Sequence, residues 1–227
     1  ILHFSDNVEL SLKYSDSIYI SEYFLDSKTL DSLIKPFNNR YQEALAIENY
    51  LLMTNGEFVR KDENGVSLKM QNGNWKPITL DENKDEAGNT FEYYFKDFGF
   101  YSVRTQWGEG NGYKLINDSS GKITDLIGRP YFSPNGTFIL AVNFDIEAGY
   151  SWNGFELFRN DNGQLKKLGI YEPDKWGPYA VKWIDNNRLI LKNQTFDFIL
   201  KNQTLKFRNS DMPYMDFYGE LEIKYGG

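Results

Sequence analysis

The chain has 227 residues, of which 41% are hydrophobic and 17% aromatic. This composition excludes an intrinsically disordered chain, provides a substantial core and favours β-strands, in which aromatic residues are enriched. The formal net charge is −7, and the lysines and arginines are scattered among acidic residues. The sequence therefore predicts no nucleic-acid partner.

Few residues suited to covalent or metal chemistry are present. The chain has no cysteine and one histidine, His3. These counts argue against disulfides, thiol nucleophiles, a Ser-His-Asp triad and a multi-histidine metal site. We therefore expect no metal ion and no cofactor.

The sequence also bears on location. No apolar run approaches the length of about 20 residues that a membrane-spanning helix needs, so we predict no membrane span. The chain begins at Ile1 rather than Met. We interpret this as the loss of a leader, which favours export.

The N-terminal region contains two short strand patterns and one helix pattern. The strand patterns are "VELSLKY" (8–14) and "SIYISEY" (17–23). The stretch "DSKTLDSLIKPF" (26–37) predicts a short helix, with Leu30, Leu33 and Ile34 on one face and Pro36 as its stop. From Glu43 onward the apolar period is two, which predicts strands and turns.

A repeated hairpin organises the rest of the chain. "GYKLINDSSGKITDL" (112–126) aligns without a gap to "GFELFRNDNGQLKKL" (154–168), at an offset of 42 residues. Gly121 and Gly163 occupy the same point of the two turns, so we expect a positive φ at both. An earlier relative, "VSLKMQNGNWKPI" (66–78), has Gly73 at its turn.

A strand pair precedes each full hairpin, and the same pair recurs after the second one. The pairs are 90–98 with 99–107, 129–134 with 137–144, and 177–185 with 187–192. In the second pair the turn is Ser133-Pro134-Asn135-Gly136, which suits a tight antiparallel connection. Two copies of "KNQT", at 192–195 and 201–204, are predicted to be turns.

Four-strand units repeating at about 40–45 residues are typical of β-propeller blades. We predict one all-β domain over residues 1–227, a propeller-like stack of four to five four-stranded antiparallel units. Its parts are an irregular segment with a short helix (1–43), the repeated units (44–208) and a closing strand (209–227). The N- and C-terminal strands are predicted to complete one unit jointly. An open stack of sheets or a β-sandwich is the alternative.

The repeat also predicts the core. Equivalent strand positions should face neighbouring sheets and be buried. These positions are Leu115, Ile139, Leu157 and Ile190.

The stretch "YFSPNGTFILAV" (131–142) resembles the FSPDGK signature of TolB-like and WD40-like propeller repeats, with Asn135 where Asp is usual. Residues 45–192 are similar to uncharacterised exported proteins of Gram-negative bacteria, especially Bacteroidetes. The resemblance implies a propeller fold and a periplasmic or extracellular location. It implies no catalytic residues, because propellers host many functions.

Candidate functional residues cluster on connections between strands. The longest insertion, "NFDIEAGYSWNG" (143–154), contains Asp145, Glu147, Tyr150 and Trp152, and the matching connection of the preceding unit offers Trp107 and Glu109. Equivalent loops of successive units emerge on one rim, so we expect these groups to converge. The stretch "YEPDKWGPY" (171–179) is expected on the opposite rim.

These residues indicate an aromatic and acidic surface that binds a protein, a peptide, a glycan or a cation. The alternative for each Trp is packing between sheets, and we expect Trp152 to pack and Tyr150 to be exposed. Asp145 and Glu147, about 7 Å apart at i, i+2 on an extended segment, also allow a carbohydrate-active enzyme with a carboxylate pair. We favour a non-enzymatic, exported binding or scaffolding module.

Overall fold

The structure, a computed structural model, describes residues 1–21, 24–38, 40–63, 65–146, 148–195 and 215–225, without the side chains of residues 40, 41 and 82. The predicted all-β class is confirmed, because most of the described residues lie in strands and few in helices. Within the described ranges, the strands form four antiparallel sheets of three to five strands, none of which is closed.

The contacts divide the chain into two compact units. One comprises Ile1–Glu22 and Pro130–Gly227, and the other Tyr23–Arg129. We call them the terminal unit and the inserted unit. The prediction of a single domain over residues 1–227 stays a prediction.

The inserted unit contains two helices and two sheets. Its elements are α1 (Ser27–Ile34), α2 (Arg40–Thr54), β3 (Val59–Asp62), β4 (Gly65–Lys69), β5 (Trp75–Pro77), β6 (Gly88–Phe95), β7 (Phe100–Trp107), β8 (Gly110–Asn117) and β9 (Ile123–Leu126). Single 3₁₀ turns span Glu82–Lys84 and Lys96–Phe98. The sheet orders are β3-β4-β5 and β6-β7-β8-β9.

The predicted short helix is confirmed as α1. The Asp26 carboxylate accepts a hydrogen bond from the Thr29 backbone N–H at 3.0 Å and caps the helix. The helix ends at Ile34, and Pro36 cannot extend it because its nitrogen carries no N–H to donate to the preceding turn. Its predicted apolar face packs against the core of the unit through Leu30, Leu33 and Ile34.

The prediction of strands and turns from Glu43 onward is wrong over α2. This segment, "RYQEALAIENYLLMT", is rich in Ala, Leu and Glu, which are strong helix formers. Ile47 and Leu51 of α2 join the buried core of the unit. The predicted four-strand unit starting at residue 44 is therefore a helix followed by the three strands of β3-β4-β5.

The terminal unit contains the strands from both ends of the chain. Its elements are β1 (Leu2–Phe4), β2 (Val8–Ser15), β11 (Phe138–Asn143), β12 (Gly154–Asp161), β13 (Gln164–Tyr171), β14 (Trp176–Trp183), β15 (Arg188–Thr195) and β16 (Met215–Tyr225), with β10 (Arg129–Phe132) at its boundary. The sheet orders are β1-β2-β16-β15-β14 and β10-β11-β12-β13.

The terminal strands share one sheet, as predicted, but this sheet also contains β14 and β15, which were predicted to belong to the preceding unit. β2 pairs antiparallel with β16, from Val8 opposite Tyr225 to Ser15 opposite Tyr218. The second predicted N-terminal strand is wrong, because residues 17–21 form no strand and residues 22–23 lie outside the described residues. The first "KNQT" is also not a turn: it continues β15, with Thr195 opposite Met215. The second copy, at 201–204, lies outside the described residues.

The repeated hairpins have the predicted turns and core. Gly121 and Gly163 have φ of +69° and +89°, and Gly136 of the Ser-Pro-Asn-Gly turn has φ of +71°. The predicted core positions are confirmed as buried, with exposed fractions of at most 3%: Leu115, Ile139, Leu157 and Ile190. No helix in the part of the chain that the structure describes has the length and apolar character of a membrane span.

The turn geometry generates a stability prediction. Gly163→Val places a β-branched residue at φ of +89°, so we expect the free energy of unfolding to fall by about 1–3 kcal/mol. Gln164→Val, at the exposed neighbouring position in β13, introduces the same side chain into extended backbone and should change it by less than about 0.5 kcal/mol. Urea unfolding of both variants measures the difference. Equal losses of unfolding free energy would contradict the placement of Gly163 at a turn position that requires a positive φ.

A tyrosine pair in the core of the inserted unit generates a second prediction. The rings of Tyr94 and Tyr101 stack with centroids 4.0 Å apart. The Tyr101 hydroxyl donates to the Lys69 carbonyl oxygen at 2.6 Å, and Tyr94 donates to the Asp118 carboxylate at 2.7 Å. Burial raises the pKa of Tyr101 to about 12, and burial together with the hydrogen bond to Asp118 raises the pKa of Tyr94.

The raised pKa of Tyr101 makes the fold sensitive to alkali. The folded chain holds this proton more tightly than the unfolded chain, so the free energy of unfolding should fall as pH rises from 10 towards 12. Tyr101→Phe should make this fall shallower, whereas Tyr19→Phe, at a site 66% exposed, should leave it unchanged. Urea unfolding across this pH range checks both, and identical slopes for all three proteins would refute the expectation.

Candidate functional site

The predicted recognition loop joins β11 to β12, and the Asp145 carboxylate organises it. Its Oδ1 accepts hydrogen bonds from the backbone N–H groups of Ala148 and Gly149 at 3.2 and 3.0 Å. Its Oδ2 accepts from the Ser151 N–H at 2.6 Å. The short Asp side chain thus replaces the backbone partners that an irregular loop lacks.

Asn153 fixes the base of the loop. This residue is 7% exposed, and its Oδ1 accepts from the Asp145 N–H at 3.2 Å. Its Nδ2 donates to the carbonyl oxygens of Pro173 and Trp176 at 2.8 and 2.9 Å. One buried amide therefore joins the loop to the connection between β13 and β14.

Two glycines leave room for this junction. Gly154 has φ of +130°, and a Cβ there would lie 2.1 Å from the Tyr171 carbonyl oxygen. A Cβ on Gly177 would lie 2.0 Å from the Asn153 Oδ1. Any larger residue at either position would displace backbone or the buried amide.

Two aromatic side chains project from the loop. Tyr150 is 54% exposed, as predicted, and Trp152 is 53% exposed, so the prediction that Trp152 packs is wrong. The physical reason is that hydrogen bonds hold the loop without the ring. The Asn143 Nδ2 donates to the Trp152 carbonyl oxygen at 2.6 Å, which fixes the backbone and leaves the indole at the surface.

The carboxylate pair of the enzyme alternative is only partly described. Glu147 lies outside the described residues, so its predicted place beside Asp145 stays a prediction. The hydrogen bonds to Asp145 come from three backbone N–H groups within the loop. Its described contacts are those of a residue that shapes a loop.

Trp107 and Glu109 belong to the inserted unit, whereas the loop belongs to the terminal unit. The predicted convergence of the two groups stays a prediction. Glu109 is exposed in the two-residue turn between β7 and β8. The Trp107 ring covers Gly112 of the same hairpin, where a Cβ would lie 2.8 Å from the indole. This contact is packing within one hairpin, and the alternative of packing between sheets stays a prediction for Trp107.

The connection between β13 and β14 was predicted on the opposite rim, and this is wrong. Asn153 binds its carbonyl groups directly. Strand parity explains the result, because in a β11-β12-β13 meander the connections before β12 and after β13 lie at the same end. Counting strand directions would have placed Trp176 next to the loop.

Trp176 also lines an apolar groove that the sequence analysis missed. The groove has a volume of about 150 Å³, and its other lining residues come from β2 and β16: Leu12, Lys13, Tyr14, Phe217, Tyr218 and Gly219. The Phe217 ring lies 5.7 Å from that of Trp176 and 6.2 Å from that of Tyr14. Strand patterns near both chain ends were visible, but the pairing that brings them together spans more than 200 residues.

Among the described residues, no group of three or more His, Asp or Glu side chains is arranged to hold a metal ion. Comparison with known proteins identifies no matching family model, no similar curated protein and no similar solved structure.

The junction at Asn153 generates a prediction. Asn153→Ala leaves a buried carbonyl group, that of Pro173, and a partly buried one, that of Trp176, without their donor. We therefore expect the free energy of unfolding to fall by about 2–4 kcal/mol. Asn143→Ala removes one hydrogen bond at an exposed site and should cost less than about 1 kcal/mol. Urea unfolding measures both values. Similar small losses would show that the loop does not depend on the buried amide.

Proposed function

We propose that the chain is a non-enzymatic binding module and that the loop between β11 and β12 is its recognition surface. One observation carries this proposal. Tyr150 and Trp152 are each more than half exposed, while Asp145 and Asn153 fix the backbone that bears them. The loop therefore presents two large rings from a preorganised frame.

The combination favours binding for two reasons. Exposed aromatic rings contribute no core stability, and two of them on one short loop expose the kind of apolar surface that marks interaction sites. A loop already held by hydrogen bonds loses little conformational entropy on binding, so more of the contact energy remains as affinity.

A glycan is the partner class that this surface fits best. Tyr and Trp rings offer flat apolar faces with a polar edge, which suits the apolar face and hydroxyl groups of a sugar. A cation is less favoured, because both carboxylate oxygens of Asp145 already accept hydrogen bonds from backbone N–H groups of the loop. The apolar groove beside Trp176 extends the aromatic character of this end of the terminal unit.

A carbohydrate-active enzyme is the second candidate, and the contacts of Asp145 favour it less. A catalytic carboxylate must reach the substrate and exchange a proton or form a bond with it. Asp145 instead bonds to three N–H groups of its own loop. The module is therefore proposed to bind without turnover.

We further propose that the four sheets are blades of a propeller-like arrangement, in an exported protein of the periplasm or the extracellular space. The support is the 42-residue repeat, the sequential strand orders of β6-β7-β8-β9 and β10-β11-β12-β13, and the sheet shared by the two chain ends. A crystal structure with the sheets around one axis would bear out the arrangement, and fractionation of the source cells would test the location.

Glycan-array binding tests the recognition surface. We expect the wild-type chain to bind at least one glycan class, and Trp152→Ala to bind it about tenfold or more weakly with an unchanged melting temperature. Tyr19→Ala is the matched control, because this tyrosine is exposed but lies outside the loop. The proposal would be overturned if the wild-type chain bound no glycan. It would also be overturned if Trp152→Ala had a lower melting temperature but kept its glycan affinity.

Product analysis separates binding from catalysis. Any glycan bound by the wild type is incubated with the protein, and released sugars are measured by chromatography. We expect no release. If the wild type released sugars and Asp145→Ala did not, the proposal of a binding module would be wrong and the carbohydrate-active enzyme would be supported.

A further inference from the structure

A cavity of about 100 Å³ lies in the inserted unit between α2 and strands β6 and β7. This volume is several times the roughly 10–15 Å³ that one water molecule needs by the same kind of measure. It is well below the roughly 300–1,000 Å³ of sites for drug-sized ligands. The cavity therefore has room for only a few non-hydrogen atoms.

One wall of the cavity is a polar strip on the β6-β7 pair. Thr90 lies directly opposite Arg104 in the antiparallel register, and Gln106 follows two residues after Arg104. Opposed residues and residues two apart share one face of a sheet. All three side chains line the cavity.

Arg104 is the unusual member of this strip. Its Nε is buried and has no hydrogen-bond partner in the structure, and within the described part of the chain no carboxylate lies within ion-pair distance of it. A buried donor without a partner is costly, and a charged one more so. The other polar groups of the strip, a hydroxyl and an amide, can bond to a ligand but cannot neutralise the charge.

The two acids at the cavity are already compensated. Glu48 of α2 pairs with Lys61 at 2.6 Å, and Glu92 pairs with Arg129 at 3.0 Å. Glu92 lies at the irregularity in register between Phe91 and Tyr93. Such a bulge lets consecutive residues face one side, and Thr90, Phe91 and Glu92 all line the cavity. The charges within each ion pair cancel, so the guanidinium of Arg104 is the one uncompensated charge among these groups at the cavity.

The remaining walls are apolar. They include Ile47 and Leu51 of α2 and Phe91 of β6, which are at most 7% exposed. A ligand that fits the cavity must therefore combine a single negative charge with a short apolar part. A dianion such as phosphate is disfavoured, because Glu48 and Glu92 line the same small space.

We propose that this cavity binds a short aliphatic carboxylate through Arg104. A carboxylate accepts two parallel hydrogen bonds from a guanidinium, which gives the buried Nε its partner. Thr90 and Gln106 offer further hydrogen bonds to the carboxylate oxygens. The alkyl part packs against the apolar wall formed with α2.

Isothermal titration of the whole chain with butyrate, at constant ionic strength, tests the site. We expect saturable binding of butyrate and, for 1-butanol, an affinity at least about tenfold lower, because the alcohol lacks the charge that Arg104 recognises. This comparison uses only the wild-type chain and does not depend on the folding of a variant. No saturable binding of butyrate, or equal binding of both compounds, would overturn the proposal.

Two variants assign the binding to the residue. Arg104→Gln should weaken butyrate about tenfold or more. Arg60→Gln removes an exposed arginine of the same unit, whose guanidinium lies over the Trp75 ring, and should leave butyrate affinity unchanged. Unchanged affinity in Arg104→Gln, or an equal loss in both variants, would contradict the role of Arg104.

Discussion

The pairing of β2 with β16 is the interaction on which the terminal unit depends. This unit consists of two stretches that are separated in sequence by the whole inserted unit, so their association requires contacts between the chain ends. The ladder places Leu10 opposite Ile223, both buried. A slip of one residue would turn such side chains to the solvent face, so the apolar pattern enforces the register.

The same terminal strands tie the two sheets of this unit together. The turn after β1 carries Ser5, whose N–H donates to the Leu168 carbonyl oxygen of β13 at 2.9 Å. Asp6 forms ion pairs with Lys166 and Arg159 at 2.7 and 3.2 Å. Contacts between residues far apart in the sequence therefore join the two sheets. Forming them costs loop-closure entropy, and this cost is offset only once the two chain ends have paired.

The groove beside the recognition loop is a consequence of this closure. Its walls are Leu12 and Tyr14 from β2, Phe217 from β16 and Trp176 from β14. None of these strands is adjacent in sequence to the loop, yet Asn153 bonds to the Trp176 carbonyl oxygen. The pairing that stabilises the unit thus also assembles the apolar groove that Trp176, a hydrogen-bond partner of Asn153, helps to line.

The sequence predicted the parts of the fold that local patterns encode. Period-two alternation and the glycine turns located most strands, because these depend on nearest neighbours along the chain. The helix α2 was missed because its apolar residues do not keep to one face, although its composition favours a helix. The extension of β15 through Thr195 was missed because its partner, β16, comes 20 residues later.

The candidate site was likewise predictable only where local sequence determined it. Exposure of Tyr150 followed from its place beside Gly149, which has φ of +67°. Exposure of Trp152 depends on hydrogen bonds of Asn143 and Asn153. The chain has many asparagines, and the sequence does not show which of them hold a loop in this way. The Arg104 cavity left no local signal, because it depends on which cations of the chain lack an acid. In a chain with 32 acidic and 25 basic residues, acids outnumber cations. A half-buried arginine that still lacks a carboxylate partner among the described residues is therefore a specific indication of an anionic ligand.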